Sequence, residues 1–241
     1  MIDRHKLWDP PSAIPLGSEH ARVAYNRGKS LCGRNPFDNK FDTGVNNQGW
    51  WSDGLPASNL NPNIYTGSSA GSSLRSFYTF NLASVTDAVV ALELQITRGI
   101  SVGNKESTEE VRFFDVTTSA PVLNKNTGLN SSNFEDLGSG DSYGSFQIPG
   151  TGPNFEQFTF TLNEPAVANI NAARGGFFSI GGILISDNGD DVVFGGADSS
   201  FQEGFPVRLK LTTIPEPRAF AYVCLLLTYL TIRKNHRKAT S

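Results

Sequence analysis

Histidine is nearly absent from this chain, and where it does occur excludes most side-chain catalysis. There are three His among 241 residues, and His5, His20 and His236 all fall outside residues 41–213, the stretch that reads as folded. A Ser-His-Asp triad, a His-ligated zinc and a Cys-His pair are therefore excluded from that stretch. Cysteine is scarcer still. Cys32 and Cys224 lie near opposite ends of the chain, the second within an apolar tail, so no disulfide framework supports the body. A single Met and the lack of long helical periodicity argue against a helical body. The formal net charge of −3 offers no basic field, which speaks against nucleic acid as a partner. Gly-Gly pairs at 175, 181 and 195 lack the strand-to-helix setting of a nucleotide fingerprint, and no cofactor is expected. Residues 1–15 carry Asp3, Arg4, His5, Lys6 and Asp9 and no apolar run of the kind a secretion signal needs.

What the chain does have is glycine, proline and phenylalanine, at 24, 13 and 17 residues. That composition suits short strands joined by turns. Residues 1–40, rich in Pro, Gly, Asn and Arg without periodicity, read as a poorly ordered N-terminal segment. Residues 41–213 read as one domain. In it, 76–82 puts Tyr78, Phe80 and Leu82 on one face, and 89–97 puts Val90, Leu92, Leu94 and Ile96 inward with Glu93 and Gln95 outward. Further strands are expected at 111–116, 143–148, 157–162, 177–186, 192–194 and 207–213. Gly181 and Gly182 suggest a bulge or close packing. The period changes once. Asn163 caps a short helix over 164–174, with Pro165 in its first turn and Gly175-Gly176 ending it. The expected fold is all-β, an antiparallel two-sheet β-sandwich of the jelly-roll kind with one short helix, followed by a single apolar helix at the C-terminus. Phe80, Leu92, Leu94, Phe160 and Leu211 are expected in the core.

Without histidine, carboxylates are the general acid/base candidates of the body. Glu109-Glu110, Glu135-Asp136 and Asp190-Asp191 are adjacent pairs, but neighbours on a strand point to opposite faces. Adjacency therefore does not make the carboxylate pair of a hydrolase or lyase acting on polysaccharide. Asp187-Asn188-Gly189-Asp190-Asp191 gathers oxygen donors on a Gly-centred turn, which makes Asp187, Asp190 and Asp191 a candidate Ca²⁺ set. It lacks the spacing and distal Glu of an EF-hand. The simpler reading is an Asn-Gly hairpin turn carrying solvated acids, with no metal. Trp50, Trp51 and Tyr65 are a candidate stacking platform for sugar rings, as in a carbohydrate-binding module. The competing reading has the Trp pair closing the end of the core within turn-forming sequence. The sequon at Asn130-Ser131-Ser132 is incidental.

From residue 214 the chain changes character. Pro215, Glu216 and Pro217 force extended backbone, an apolar run follows over 219–232, and Arg233, Lys234, Arg237 and Lys238 make a basic end. About fourteen mostly apolar residues fall short of the roughly 20 that cross a bilayer untilted, which suits transient insertion. The terminal cations stay cytoplasmic, leaving the body on the far side of the membrane.

This order of parts over residues 214–241 resembles the PEP-CTERM sorting signal of Gram-negative bacteria that make exopolysaccharide. The resemblance implies recognition by exosortase, cleavage near the motif, and a product without a membrane span. Cys224 and Thr228 interrupt the usual apolar run, and Asn235 and His236 spread the basic tip. Because such a tail works only on an exported chain, the start of the reading frame is expected to be misplaced or the gene damaged. Within the body, Arg75-Ser76-Phe77-Tyr78-Thr79-Phe80-Asn81-Leu82, then Val85 and Ala91-Leu92-Glu93-Leu94, resembles the opening of DNRLRE-type sandwich modules, with Asn81 where that group usually has Asp. That resemblance implies a sandwich associated with bacterial surfaces and carbohydrate polymers. The expected function is that of an exported noncatalytic protein sorted to the cell envelope or extracellular matrix. The alternatives are a carbohydrate-binding module and a polysaccharide-acting hydrolase or lyase using carboxylates.

Overall fold

A strand that alternates apolar and polar residues hides its apolar face only against another layer, and this chain supplies two sheets that cover each other. The computed structural model describes residues 34–35, 40–43, 47–57, 63–99, 106–195 and 207–214. Over them run β1 (Arg34–Asn35), β2 (Lys40–Asp42), β3 (Gln48–Ser52), β4 (Thr66–Ser69), β5 (Ser72–Asn81), β6 (Ala88–Thr97) and β7 (Thr108–Asp115). Two short helices follow, α1 (Ala120–Leu123) and α2 (Ser131–Asp136), then β8 (Ser142–Pro149) and β9 (Gln157–Thr161). The remainder is α3 (Glu164–Ala172), β10 (Phe177–Leu184), β11 (Val192–Val193) and β12 (Arg208–Ile214). The first sheet has the order β1-β2-β12-β6-β9, the second β11-β4-β5-β10-β7-β8. β3 lines the edge of β5 opposite β10, because residues 76–78 pair with both. Every pairing is antiparallel, so the fold is the expected two-sheet sandwich. Pairing begins at Arg34, upstream of the boundary expected at residue 41. Most of the segment 1–40 lies outside the described residues.

The core lies between the sheets. Phe80, Leu92, Leu94, Phe160 and Leu211, the five positions chosen by alternation, are all buried in it. Aromatic rings bridge the layers: Phe113 of β7 meets Phe160 of β9 at a centroid distance of 5.0 Å, and Phe146 of β8 meets the same ring at 5.1 Å. Offset and edge contacts of this kind add roughly 0.5–1.5 kcal/mol each beyond area burial.

One inward assignment on β6 is overturned. Val90 is 46 % exposed and Val89 is buried in its place. The pairing of β12 with β6 steps from Thr212 opposite Ala91 to Thr213 opposite Val89, so Val90 is the extra residue of a bulge. A bulge inverts the phase of everything beyond it.

The helix expected after Asn163 forms as α3, with the Asn163 side chain accepting from the Ala166 N–H at 3.4 Å. Ala166 and Ile170 enter the inter-sheet core. Asn171 meets the first residues of β6, where β9 has not yet begun to pair. Its amide donates to the Val89 carbonyl at 2.7 Å and accepts from the Val89 N–H at 2.9 Å, so the side chain stands in for a missing neighbour strand. The glycines of β10 provide close packing rather than a bulge, since the register with β5 and β7 is unbroken. A Cβ on Gly181 would strike the backbone of Leu137 just after α2.

The second sheet is also covered on its outer face. Adjacent residues Phe77 and Tyr78 point to opposite sides and both are fully buried. Phe77 belongs to a second apolar cluster with Trp50, Trp51, Leu123, Phe134 and Leu137. α1, α2 and the residue after α2 supply the last three, and the Arg75 guanidinium lies 4.0 Å from the Phe134 ring centre. Three short helices stand where one was expected. The sequon residue Asn130 is the N-cap of α2, accepting from the Asn133 N–H at 3.0 Å.

Candidate metal centre

The fold separates each pair of adjacent carboxylates. Glu135 is exposed and lies 3.6 Å from Arg75, while Asp136 accepts from the Thr117 hydroxyl at 2.8 Å and the Thr118 N–H at 2.7 Å. Burial pushes the Asp136 carboxyl up, but those hydrogen bonds together outweigh it and hold the group below its ordinary value. Glu110 faces outward beside Arg112 at 3.4 Å. Glu109 faces inward in the phase of Val111 and Phe113 and is fully buried.

The turn after β10 divides likewise. Asp187 Oδ1 accepts from the Ser68 hydroxyl at 2.7 Å and the Gly189 N–H at 2.9 Å, and Asp190 Oδ1 accepts from the Ala70 N–H at 3.2 Å. Both thus hold the β4–β5 hairpin. Asp191 turns inward and is fully buried. Asp187, Asp190 and Asp191 therefore do not converge as a ligand set. Nor is the Asn188-Gly189 turn a hairpin, because β10 pairs with β5 and β7 whereas β11 pairs with β4. A surface hollow of about 330 Å³ beside this turn is lined by Ser68, Ser72, Ser73, Asp187 and Asp190.

Asp191 meets Glu109 and Glu106 instead. One carboxylate oxygen from each of the three lies within 4.8 Å of the others. The turn also orients them. Asn188 donates from Nδ2 to Glu106 Oε1 at 2.7 Å and from its backbone N–H to Asp191 Oδ2 at 3.1 Å. The Ser186 hydroxyl donates to Glu109 Oε2 and accepts from the Glu110 N–H at 2.9 Å. Glu106 Oε2 and Glu109 Oε1 remain buried without a hydrogen-bond partner. Burial is the main influence raising the Glu109 carboxyl above its ordinary range; the Ser186 bond opposes this, and Asp191 and Glu106 add to it. Gly67 lets the neighbouring chain close on the site, with φ +131° and no room for a Cβ against the Asp191 carbonyl. Arg98, another buried charge, is held by the carbonyls of Pro149 at 2.6 Å and Gly150 at 3.2 Å and lies 3.2 Å from Glu156.

No protein-family model matches the chain, and no curated protein does.

The proposed sugar platform is not exposed. Trp50 is 8 % and Trp51 2 % accessible, and both rings are core; Tyr65 packs against the same cluster. Trp50 and Trp51 lie on β3 and pack in one cluster with Leu123, Phe134 and Leu137, which leaves their rings no open face to present. Pro215, Glu216 and Pro217, the apolar run and the basic residues Arg233, Lys234, Arg237 and Lys238 lie outside the described residues. Among the described residues no helix is long and apolar enough to cross a membrane.

Sequence reasoning missed Glu106 and Glu109 as partners of Asp191. The readable signal was the phase of β7: extending the alternation of Val111 and Phe113 back by one step places a carboxylate on the inward face.

Proposed function

We propose that this chain is an exported, noncatalytic β-sandwich protein, sorted through an exosortase to the cell envelope or exopolysaccharide matrix of a Gram-negative bacterium. The observation that carries the reading is the order of the tail: Pro215-Glu216-Pro217, a short apolar run, and a basic tip. β12 ends at Ile214, so cleavage at the motif leaves every described strand in the product. A jelly-roll-like winding of the two sheets belongs to the same reading. Two features support a noncatalytic body. The clustered carboxylates Glu109 and Asp191 are fully buried, out of reach of the polysaccharide that a glycosidase pair must flank. The tryptophans, the best stacking surfaces of the body, serve its core.

The test is to express the chain behind a working export signal in an exosortase-bearing host and compare the mass of wild type with that of the Pro215→Ala, Pro217→Ala double variant. Wild type loses the tail. The variant, whose helix can run back through the motif, keeps it and stays in the inner membrane. If both retain residues 218–241, the sorting reading fails.

A further inference from the structure

We propose that Glu106, Glu109 and Asp191 bind a Ca²⁺ ion that ties the start of β7 to the turn between β10 and β11. Glu109 and Asp191 are fully buried and Glu106 half-buried, and carboxylates drawn this close repel one another. The unpartnered atoms are the informative ones. Each carboxylate has one oxygen fixed by Ser186 or Asn188, and on both glutamates the second oxygen is buried and bare. Glu109 is fully buried, so its bare oxygen does not face bulk solvent. Outer hydrogen bonds that hold one oxygen while leaving the other free are how proteins orient metal ligands.

The donor set selects the ion. All three side chains offer hard oxygen, and the described body contains neither His nor Cys, which disfavours zinc. Ca²⁺ accepts irregular oxygen shells and completes them with carbonyls and water, whereas Mg²⁺ demands near-octahedral geometry and keeps its waters. Three ligands from two distant segments, 106–109 and 191, also give the ion a structural consequence. Asp187 and Asp190 of the same turn hold the β4–β5 hairpin, so a bound ion would fasten three segments at one end of the second sheet. This goes beyond the sorting proposal and does not depend on it.

The experiment is thermal unfolding of the purified full chain, stripped with chelator, in CaCl₂ and in NaCl of equal ionic strength, with equilibrium dialysis against radioactive calcium. One ion per chain and a higher Tm in CaCl₂ only are expected. At free Ca²⁺ ten times the dissociation constant, the unfolding equilibrium constant falls about elevenfold. Glu109→Gln should lose both the bound ion and the Tm rise, while Asp187→Asn, outside the three, should keep them. Should Glu109→Gln not fold, Glu106→Gln at the half-buried position carries the same test. Absence of bound calcium, a rise equal in NaCl, or a rise retained by the glutamine variant that folds would overturn the proposal.

Discussion

The two faces of the second sheet are both buried, but by different means. On the inner face Tyr78, Phe80, Phe113 and Ile180 meet side chains of another sheet, each from a position two residues away from the next inward one. On the outer face Phe77 and Trp51 meet Leu123, Phe134 and Leu137, which come from helices of four and six residues and the residue after the second. The inner contact repeats along every strand. The outer one depends on a few anchors, so single changes should damage the two layers to different degrees.

The largest effect is expected from Phe160→Ala. Its ring touches Phe113, Phe146, Phe158 and Phe194, and the cavity should lower stability by about 3–5 kcal/mol, read from urea unfolding. Gly181→Ala attacks the outer layer instead. The new methyl meets Leu137 backbone, and pushing α2 away should cost about 1–3 kcal/mol and alter the near-ultraviolet circular dichroism of Trp51. If Gly181→Ala proves as damaging as Phe160→Ala, the outer layer is as integral as the core. Removing the cap of α2 with Asn130→Ala should cost about 1 kcal/mol, measured the same way.

The smallest effect concerns pH. The folded Asp136 carboxyl sits below its ordinary value, so the unfolded chain binds its proton first as pH falls. Its contribution is complete above the unfolded value near 3.9 and is lost as pH drops through the folded one. Asp136→Asn should therefore flatten part of the decline in urea midpoint below about pH 4, leaving the remainder to other carboxylates.

The same division explains what could be read in advance. Leu92, Leu94 and Ile96 announce β6 because their burial follows from alternation alone. Val90 does not, because its bulge is imposed by β12, more than a hundred residues later. β3 has the composition of turns, and what makes it a strand is the open edge of β5. α2 is too short for a periodic signal, and its cap resembled a glycosylation triplet. Asn188-Gly189 has the local chemistry of a hairpin, yet the partner of β11 is β4, which no local rule supplies. Of the candidate site, Asp191 was visible on its turn, while Glu109 required knowing how far back β7 extends.

β12 has a consequence for the order of folding. It lies between β2 and β6, and its Arg208 pairs with Asp42 across a separation of 166 residues. The loop that this contact closes is nearly the whole domain, so closing it is entropically late and topologically slow. A chain delivered N-terminus first can pair β3, β4 and β5 from neighbouring sequence. It must then wait with β2 and one edge of β6 unsatisfied until its last strand arrives. During that interval the bare edges are templates for a neighbouring molecule, which makes the arrival of residues 207–214 the step that separates folding from aggregation.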